Sequence, residues 1–164
     1  MSANELIQIV DRSNKPIGSA MRGEMREKNL IHRATYILVF NNQEELFIQK
    51  RTAIKDIYPS HWDVAAGGVV LADEPYEEAA KRELSEELGI SNVPLIHLCD
   101  NYFEEDNNRV WGRIYSCLCN GPFILQEEEI EYGRFIALQS ILPLHADEPF
   151  TPDGIQLLQK LGKI

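Results

Sequence analysis

Between Gly68 and Ile90 the chain reads GVVLADEPYEEAAKRELSEELGI, and this run constrains the local structure tightly. Proline is tolerated at the first position of a helix, so Pro75 predicts a helix start with Asp73 or Glu74 as N-cap. No further breaker follows until Gly89, which suits a C-terminal cap. The spacing therefore predicts a helix over 74–88. At about 100° per residue, Glu83, Glu86 and Glu87 fall within an arc of roughly 100°. Ala80, Leu84 and Leu88 form a neighbouring apolar stripe that can pack on a sheet. The three carboxylates thus lie at the edge of a buried face, partly desolvated. Like charges at i, i+4 destabilise a bare helix. A hard cation such as Mg²⁺ or Mn²⁺ wants an oxygen cluster of this kind.

A solvated acidic face is the ordinary explanation for a Glu-rich helix, and Glu86-Glu87 alone would ask for nothing more. The spacing asks for more, because it constrains nine positions: Gly68, Glu74, Arg82, Glu83, Leu84, Glu86, Glu87, Gly89 and Ile90. With ordinary residue frequencies the chance of this pattern in the chain is below about one in a million. The run resembles the Nudix box and matches its signature at every defined position. The resemblance implies a Nudix-type α/β/α sandwich around a mixed β-sheet, and hydrolysis of a diphosphate linkage by a metal-activated water. It also implies Glu83, Glu86 and Glu87 as ligands of Mg²⁺ (or Mn²⁺), with Arg82 orienting a neighbouring carboxylate. Gly68 would offer a backbone carbonyl to the metal, and Glu74 would sit at the helix start.

At 164 residues the chain is long enough for one domain spanning 1–164 with a real core. The formal charge of −10 argues against binding a nucleic-acid backbone, which needs a basic stripe. An anionic small-molecule diphosphate must then be drawn in by local cations and metal. No apolar run approaches the ~20 residues of a membrane span, and no charged-then-apolar leader pattern opens the chain. The expectation is a cytoplasmic protein. Cys99, Cys117 and Cys119 give no disulfide framework, and packed reduced thiols are expected. Homodimers are frequent in the family, and the sequence leaves the oligomeric state open.

Strands are expected at Leu6 to Val10, Ala34 to Phe40, Glu45 to Arg51, Trp62 to Ala66, Leu95 to Phe103, Val110 to Cys119 and Ile130 to Leu138. Asn14 to Pro16 reads as a turn, Met21 to Lys28 as a short polar helix, and 52–61 as a loop. Thr151 caps a last helix running to about Leu161. Strands of mixed direction flanked by a few helices fit the sandwich.

The resemblance extends beyond the box. The run Lys50 to Trp62 is similar to the strand and loop of type 1 isopentenyl-diphosphate isomerases, and His32 has a counterpart there. The phrases Arg33-Ala34-Thr35-Tyr36 and Ala66-Gly67-Gly68-Val69-Val70 are similar to the YfcD-type Nudix proteins. The isomerase chemistry needs a cysteine where this chain has Gly67. Two of its metal histidines correspond to Met25 and Val69, and its two glutamates to Asn107 and Arg109. Hydrolysis of a nucleoside diphosphate linked to another moiety is therefore the expected activity, with isomerisation or non-catalytic binding as alternatives. Arg51 and Lys55 match cations that contact a substrate diphosphate, and a guanidinium can clamp phosphate oxygens bidentately. His32, without its partners, reads as a structural histidine, and His61 as loop packing. Glu129 stands six residues before Phe135, where many Nudix enzymes place a further metal-binding or basic glutamate. A solvated acidic loop is the alternative there. Tyr102, Phe103 and Trp111 could stack on a base, with core packing the alternative. The general base is left among Glu83, Glu86 and Glu129.

Overall fold

The computed structural model describes residues 4–164. Its elements in chain order are β1 (Leu6–Val10), β2 (Pro16–Met21), α1 (Arg22–Glu27), β3 (His32–Phe40), β4 (Leu46–Arg51) and β5 (Trp62–Asp63). Then come α2 (Tyr76–Leu88), β6 (Ile96–Glu105), β7 (Asn108–Leu118), β8 (Ile130–Ile136), α3 (Ile141–Asp147) and α4 (Pro152–Lys160). The eight strands join in one mixed sheet. β3 pairs in parallel with β7 along its whole length, from His32 opposite Val110 to Phe40 opposite Leu118. The remaining strand pairs are antiparallel. The other edge of β3 bridges Ala66 through Ile37 and Val69 through Ala34. The glycine run ahead of α2 is thereby pinned to the middle of the sheet.

Alternation along β3 feeds a core on each face. Ile37 and Val39 pack with Ala80, Leu84 and Leu88 of α2. Leu38, between them, packs with Val64, Ile141, Leu157 and Leu158, which brings in α3 and α4. The result is the α/β sandwich expected, with α2 on one face and α3 and α4 on the other. The expected apolar stripe of α2 is the stripe that is buried. Truncating Leu88 to Ala would cost about 2–5 kcal/mol, because it is buried against both sheet and loop.

Three local expectations change. The helix begins at Tyr76, and Pro75 is its extended N-cap, with φ −65° and ψ 148°. Neither Asp73 nor Glu74 caps it, because the Glu74 carboxylate accepts the Leu71 N–H and the Arg82 guanidinium. The polar run Pro16–Met21, exposed at all positions but Ala20, is an edge strand paired with β1. Its lack of an apolar pattern hid it. Residues 141–147, given no element in the sequence reading, form the short helix α3, anchored through buried Ile141. Gly89 does end α2, in the left-handed conformation at φ 68°. The three cysteines are free thiols. Among the described residues no helix is long and apolar enough to cross a membrane.

Candidate active site

α2 presents Arg82, Glu83, Glu86 and Glu87 from consecutive turns, and their environments differ. Glu87 is 6% exposed, the Glu83 side chain 13% and the Glu86 side chain 48%. Burial, reinforced by the neighbouring Glu83, drives the Glu87 carboxyl well above the usual carboxylate range. The backbone N–H of Gly67 donates to its Oε1 at 2.7 Å. Burial also raises Glu83, with Glu86 and Glu129 pushing the same way and Arg82 opposing them. Two buried acids with mutual repulsion are held in one place, which is costly without a cation.

Arg82 is the hub of this arrangement. Its Nε and Nη2 donate to the two oxygens of Glu74 at 2.8 and 2.9 Å, a bidentate fork. Nη1 donates to Glu83 at 2.9 Å and to Glu86 at 3.4 Å. The bond to Glu74 is the main cause that raises the guanidinium further above its ordinary value. Arg82 therefore aims Glu83 while being aimed by Glu74.

The two glycines ahead of α2 serve different purposes. Gly67 has φ +131°, and a Cβ there would lie 2.1 Å from the Thr35 carbonyl oxygen. Only glycine can make this pass across β3. A Cβ on Gly68 would lie 2.8 Å from Glu83 Oε1. Gly68 thus leaves room for a carboxylate. Its carbonyl accepts the Thr35 N–H at 2.9 Å and the Thr35 hydroxyl at 3.4 Å, so that oxygen is engaged by β3. The expected contact of that oxygen with a metal would have to share it with these β3 donors.

A cleft of about 120 Å³ gathers these groups. Arg82, Glu83, Glu86, Glu87, Gly68, Glu129, Arg51 and Lys55, all singled out from the sequence, line it. Glu129 is buried and paired with the Lys55 ammonium, so it is not a solvated loop acid. Burial works to raise its carboxyl, and the bond to Lys55 helps hold it below the usual range. Arg51 donates to the Ile57 carbonyl from Nε and Nη2, at 3.1 and 2.9 Å, and to Asp63 from Nη1 at 3.2 Å. It shapes the 52–61 loop as well as charging the cleft. Arg22 and Arg26 of α1, which sequence reasoning passed over, add two more cations beside Asp56. Tyr36, Asp63, Thr151 and Asp153, also not anticipated, line it as well.

Among the described residues no group of three or more His, Cys, Asp or Glu stands drawn together as a finished metal cage. Each acid is instead met by a donor of the protein: Glu87 by Gly67, Glu83 by Arg82, Glu129 by Lys55. The donor chemistry nevertheless fits a hard divalent cation: buried carboxyls raised by one another, all oxygen, with no soft ligand.

Two positions that would supply the isomerase's metal histidines are apolar here. Met25 and Val69 pack with Ile7, Ile9 and Ala20. His32 is buried, its Nδ1 within 3.2 Å of the Leu30 carbonyl, and burial depresses its pKa to about 3. It is a neutral structural histidine. His61 sits against the Tyr58 ring with Nδ1 2.9 Å from the Pro59 carbonyl. Phe103 is core, and Tyr102 and Trp111 form a cross-strand pair with ring centroids 5.3 Å apart, outside the cleft.

The model of the NUDIX domain family matches residues 30–160. The uncharacterised Nudix hydrolase PA4841 of Pseudomonas aeruginosa is 45% identical over 94% of this chain and 92% of its own. The uncharacterised Nudix hydrolase YfcD of Escherichia coli is 43% identical over 96% and 87%. Among solved structures, DR0079 from Deinococcus radiodurans superposes with a TM-score of 0.82 at 24% identity, covering 95% of this chain and 98% of that one. The Nudix domain of NrtR from Shewanella oneidensis, in complex with ADP ribose, has a TM-score of 0.63 at 16% identity, covering 80% and 86%. A family match over most of the chain, and relatives above 40% identity aligned nearly end to end, place this protein in the Nudix hydrolase family.

Proposed function

We propose that the protein hydrolyses the diphosphate linkage of a nucleoside diphosphate joined to another moiety, with Mg²⁺ or Mn²⁺ as cofactor. The observation that carries this reading is that two buried, mutually repelling carboxylates share one cleft with five cationic side chains. A metal and a diphosphate together satisfy both sets of charges. The ADP-ribose complex of the NrtR domain is one neighbour of this fold that holds such a compound.

Glu83, Glu86 and Glu87 would hold the metal, joined by Glu129 once it exchanges Lys55 for the cation. When bound, the ion lowers the pKa of a coordinated water and neutralises charge on the phosphoryl oxygens. Arg82 keeps Glu83 oriented through its fork to Glu74. Gly68 keeps the space beside Glu83 open. Lys55 and Arg51 would supply positive charge for the diphosphate. A carboxylate of the cleft accepts the proton of the attacking water.

The test is phosphate or nucleotide release from a panel of nucleoside diphosphate conjugates, with Mg²⁺ and with Mn²⁺. Glu83→Gln and Glu87→Gln should each lower kcat/KM by about 10²-fold or more. Full activity in both variants would remove α2 as the catalytic centre.

A further inference from the structure

The five cations of the cleft differ in what they have left to give. Arg82 and Arg51 each spend all three guanidinium nitrogens on protein acceptors. Lys55 is paired with Glu129. The two arginines of α1 are different. Arg22 donates from Nε to Glu5 at 3.1 Å and from Nη1 to Asp56 at 3.3 Å. Arg26 donates only from Nε, to the same Asp56 oxygen, at 3.0 Å. Among the described residues, Arg22 Nη2 and both terminal nitrogens of Arg26 make no hydrogen bond. The fully buried, unpartnered side-chain atoms are Gln49 Oε1, Thr151 Oγ1 and Asp153 Oδ1, so the free arginine nitrogens keep accessible surface. Both side chains line the cleft, and positions i and i+4 place them on one face of α1.

The surroundings decide what kind of group those donors would take. The Arg22 side chain is 11% exposed and that of Arg26 20%, so both charges are largely withdrawn from water. One carboxylate, Asp56, is shared between them. Burial works to raise the Asp56 carboxyl, and Arg26, Arg22 and Lys55 together bring it below the usual range. Burial lowers the Arg26 guanidinium, Arg22 and Arg51 push the same way, and Asp56 opposes them. A desolvated cation with spare donors calls for an anion, since a neutral or apolar group would supply no compensating charge. Phosphate suits it best, because two guanidiniums can fork its oxygens and a phosphomonoester carries a charge near −2.

We propose that Arg22 and Arg26 form an anion subsite for a phosphomonoester that the substrate carries in addition to its scissile diphosphate. They would then be specificity-determining residues, separate from the acids of α2 and from the cations Arg51 and Lys55. That this phosphate belongs to a nucleoside diphosphate conjugate rests on the functional reading above.

The experiment titrates the full chain, with Mg²⁺ present, with methylene-bridged ADP-ribose, whose phosphorus–carbon linkage cannot be hydrolysed. Two analogues carry one more phosphate, on the terminal ribose or on the adenosine. Calorimetry then reads binding without turnover. The wild-type protein should bind at least one of these analogues about tenfold more tightly than the parent compound. Arg26→Gln should bring that ratio within about threefold. It removes one bond to an Asp56 that keeps Arg22, and its melting temperature verifies the fold. Arg26→Lys keeps the charge but loses the fork, and should lower the ratio by about threefold. Lys81→Gln, an exposed charge on the outer side of α2, should leave the ratio unchanged and so exclude a mere effect of net charge.

Equal wild-type affinity for all three compounds, or a preference kept in folded Arg26→Gln, would overturn the subsite. So would an Arg26→Gln loss of the same size for all three, which would assign the arginine to the diphosphate itself. If the preference is present but no anhydride is ever hydrolysed, the hydrolase reading fails and the subsite stands.

Discussion

Glu87 Oε1 accepts the Gly67 N–H at 2.7 Å, so the last acid of the α2 cluster is tied to the loop in front of the helix. The bond locks the acid's position relative to β3, because the same glycine crosses β3 at a distance no other residue allows. It also partly offsets the burial that raises the Glu87 carboxyl.

Replacing Glu87 with Gln keeps an oxygen for that N–H and removes the repulsion with Glu83. In chelator, the variant should melt a few degrees above the wild type, at about 2–4 °C per kcal/mol relieved. Added Mg²⁺ or Mn²⁺ should raise the wild-type melting temperature and barely move the variant's. Equal metal-induced shifts in both proteins would separate Glu87 from metal binding.

The two glycines should fail differently. Gly67→Ala forces a Cβ against the Thr35 carbonyl and should cost several kcal/mol of stability, read by chemical denaturation. Gly68→Ala displaces a carboxylate that can rotate. Its melting temperature should change little, while kcat falls by about tenfold or more because Glu83 is misaimed. Full activity in folded Gly68→Ala would show that Glu83 needs no such clearance.

Glu74 acts through Arg82. Glu74→Gln loses the bidentate charged fork and should lower stability by about 1–3 kcal/mol. It should lower kcat more than it raises KM, since it touches the aim of Glu83 and not the substrate. An unchanged kcat would reduce the pair to a helix brace.

Much of this cleft was legible from spacing alone. α2, its Gly89 cap and its buried stripe follow from local periodicity, which a single helix expresses without help from the rest of the chain. Glu129, Arg51 and Lys55 were reached only through family resemblance, because their proximity is created by β4 pairing with β8 and by the loop between β4 and β5. Asp63 and Asp153 were not legible at all. A parallel bridge between Trp62 and Phe150 draws their two segments together, and nothing near either residue encodes that contact. β2 and α3 were missed for the opposite reason. One is too exposed to show a pattern, and the other is too short to show a period.

Lys55 and a metal would compete for Glu129. Lys55→Gln withdraws the ammonium from a buried carboxylate, so its melting temperature in chelator should fall. Its gain on adding Mn²⁺ should exceed the wild-type gain, and KM for a diphosphate substrate should rise. A Mn²⁺ gain equal to the wild type's would mean that Glu129 takes no part in holding the ion.

Asp153 sets a pH dependence with a definite sign. Its folded pKa of about 6 lies above the ordinary carboxylate value of 3.8, so the folded state binds the proton more tightly. Stability therefore falls as pH rises from about 4 to about 6. Asp153→Asn should match the wild type near pH 4 and become the more stable of the two above pH 6. Parallel melting curves across that range would exclude a buried, ionising Asp153.

The parallel pairing of β3 with β7 has a consequence for how the molecule comes into being. Residues 41–107 must be looped out before those two strands can meet, and α2 lies inside that loop. The cleft draws on residues from Glu5 to Gly154. Closing loops of this size makes such contacts late events on the folding pathway. Secondary structure of α2 should appear in a kinetic refolding experiment well before any affinity for metal or nucleotide. Catalytic competence would then arrive as a final, cooperative step.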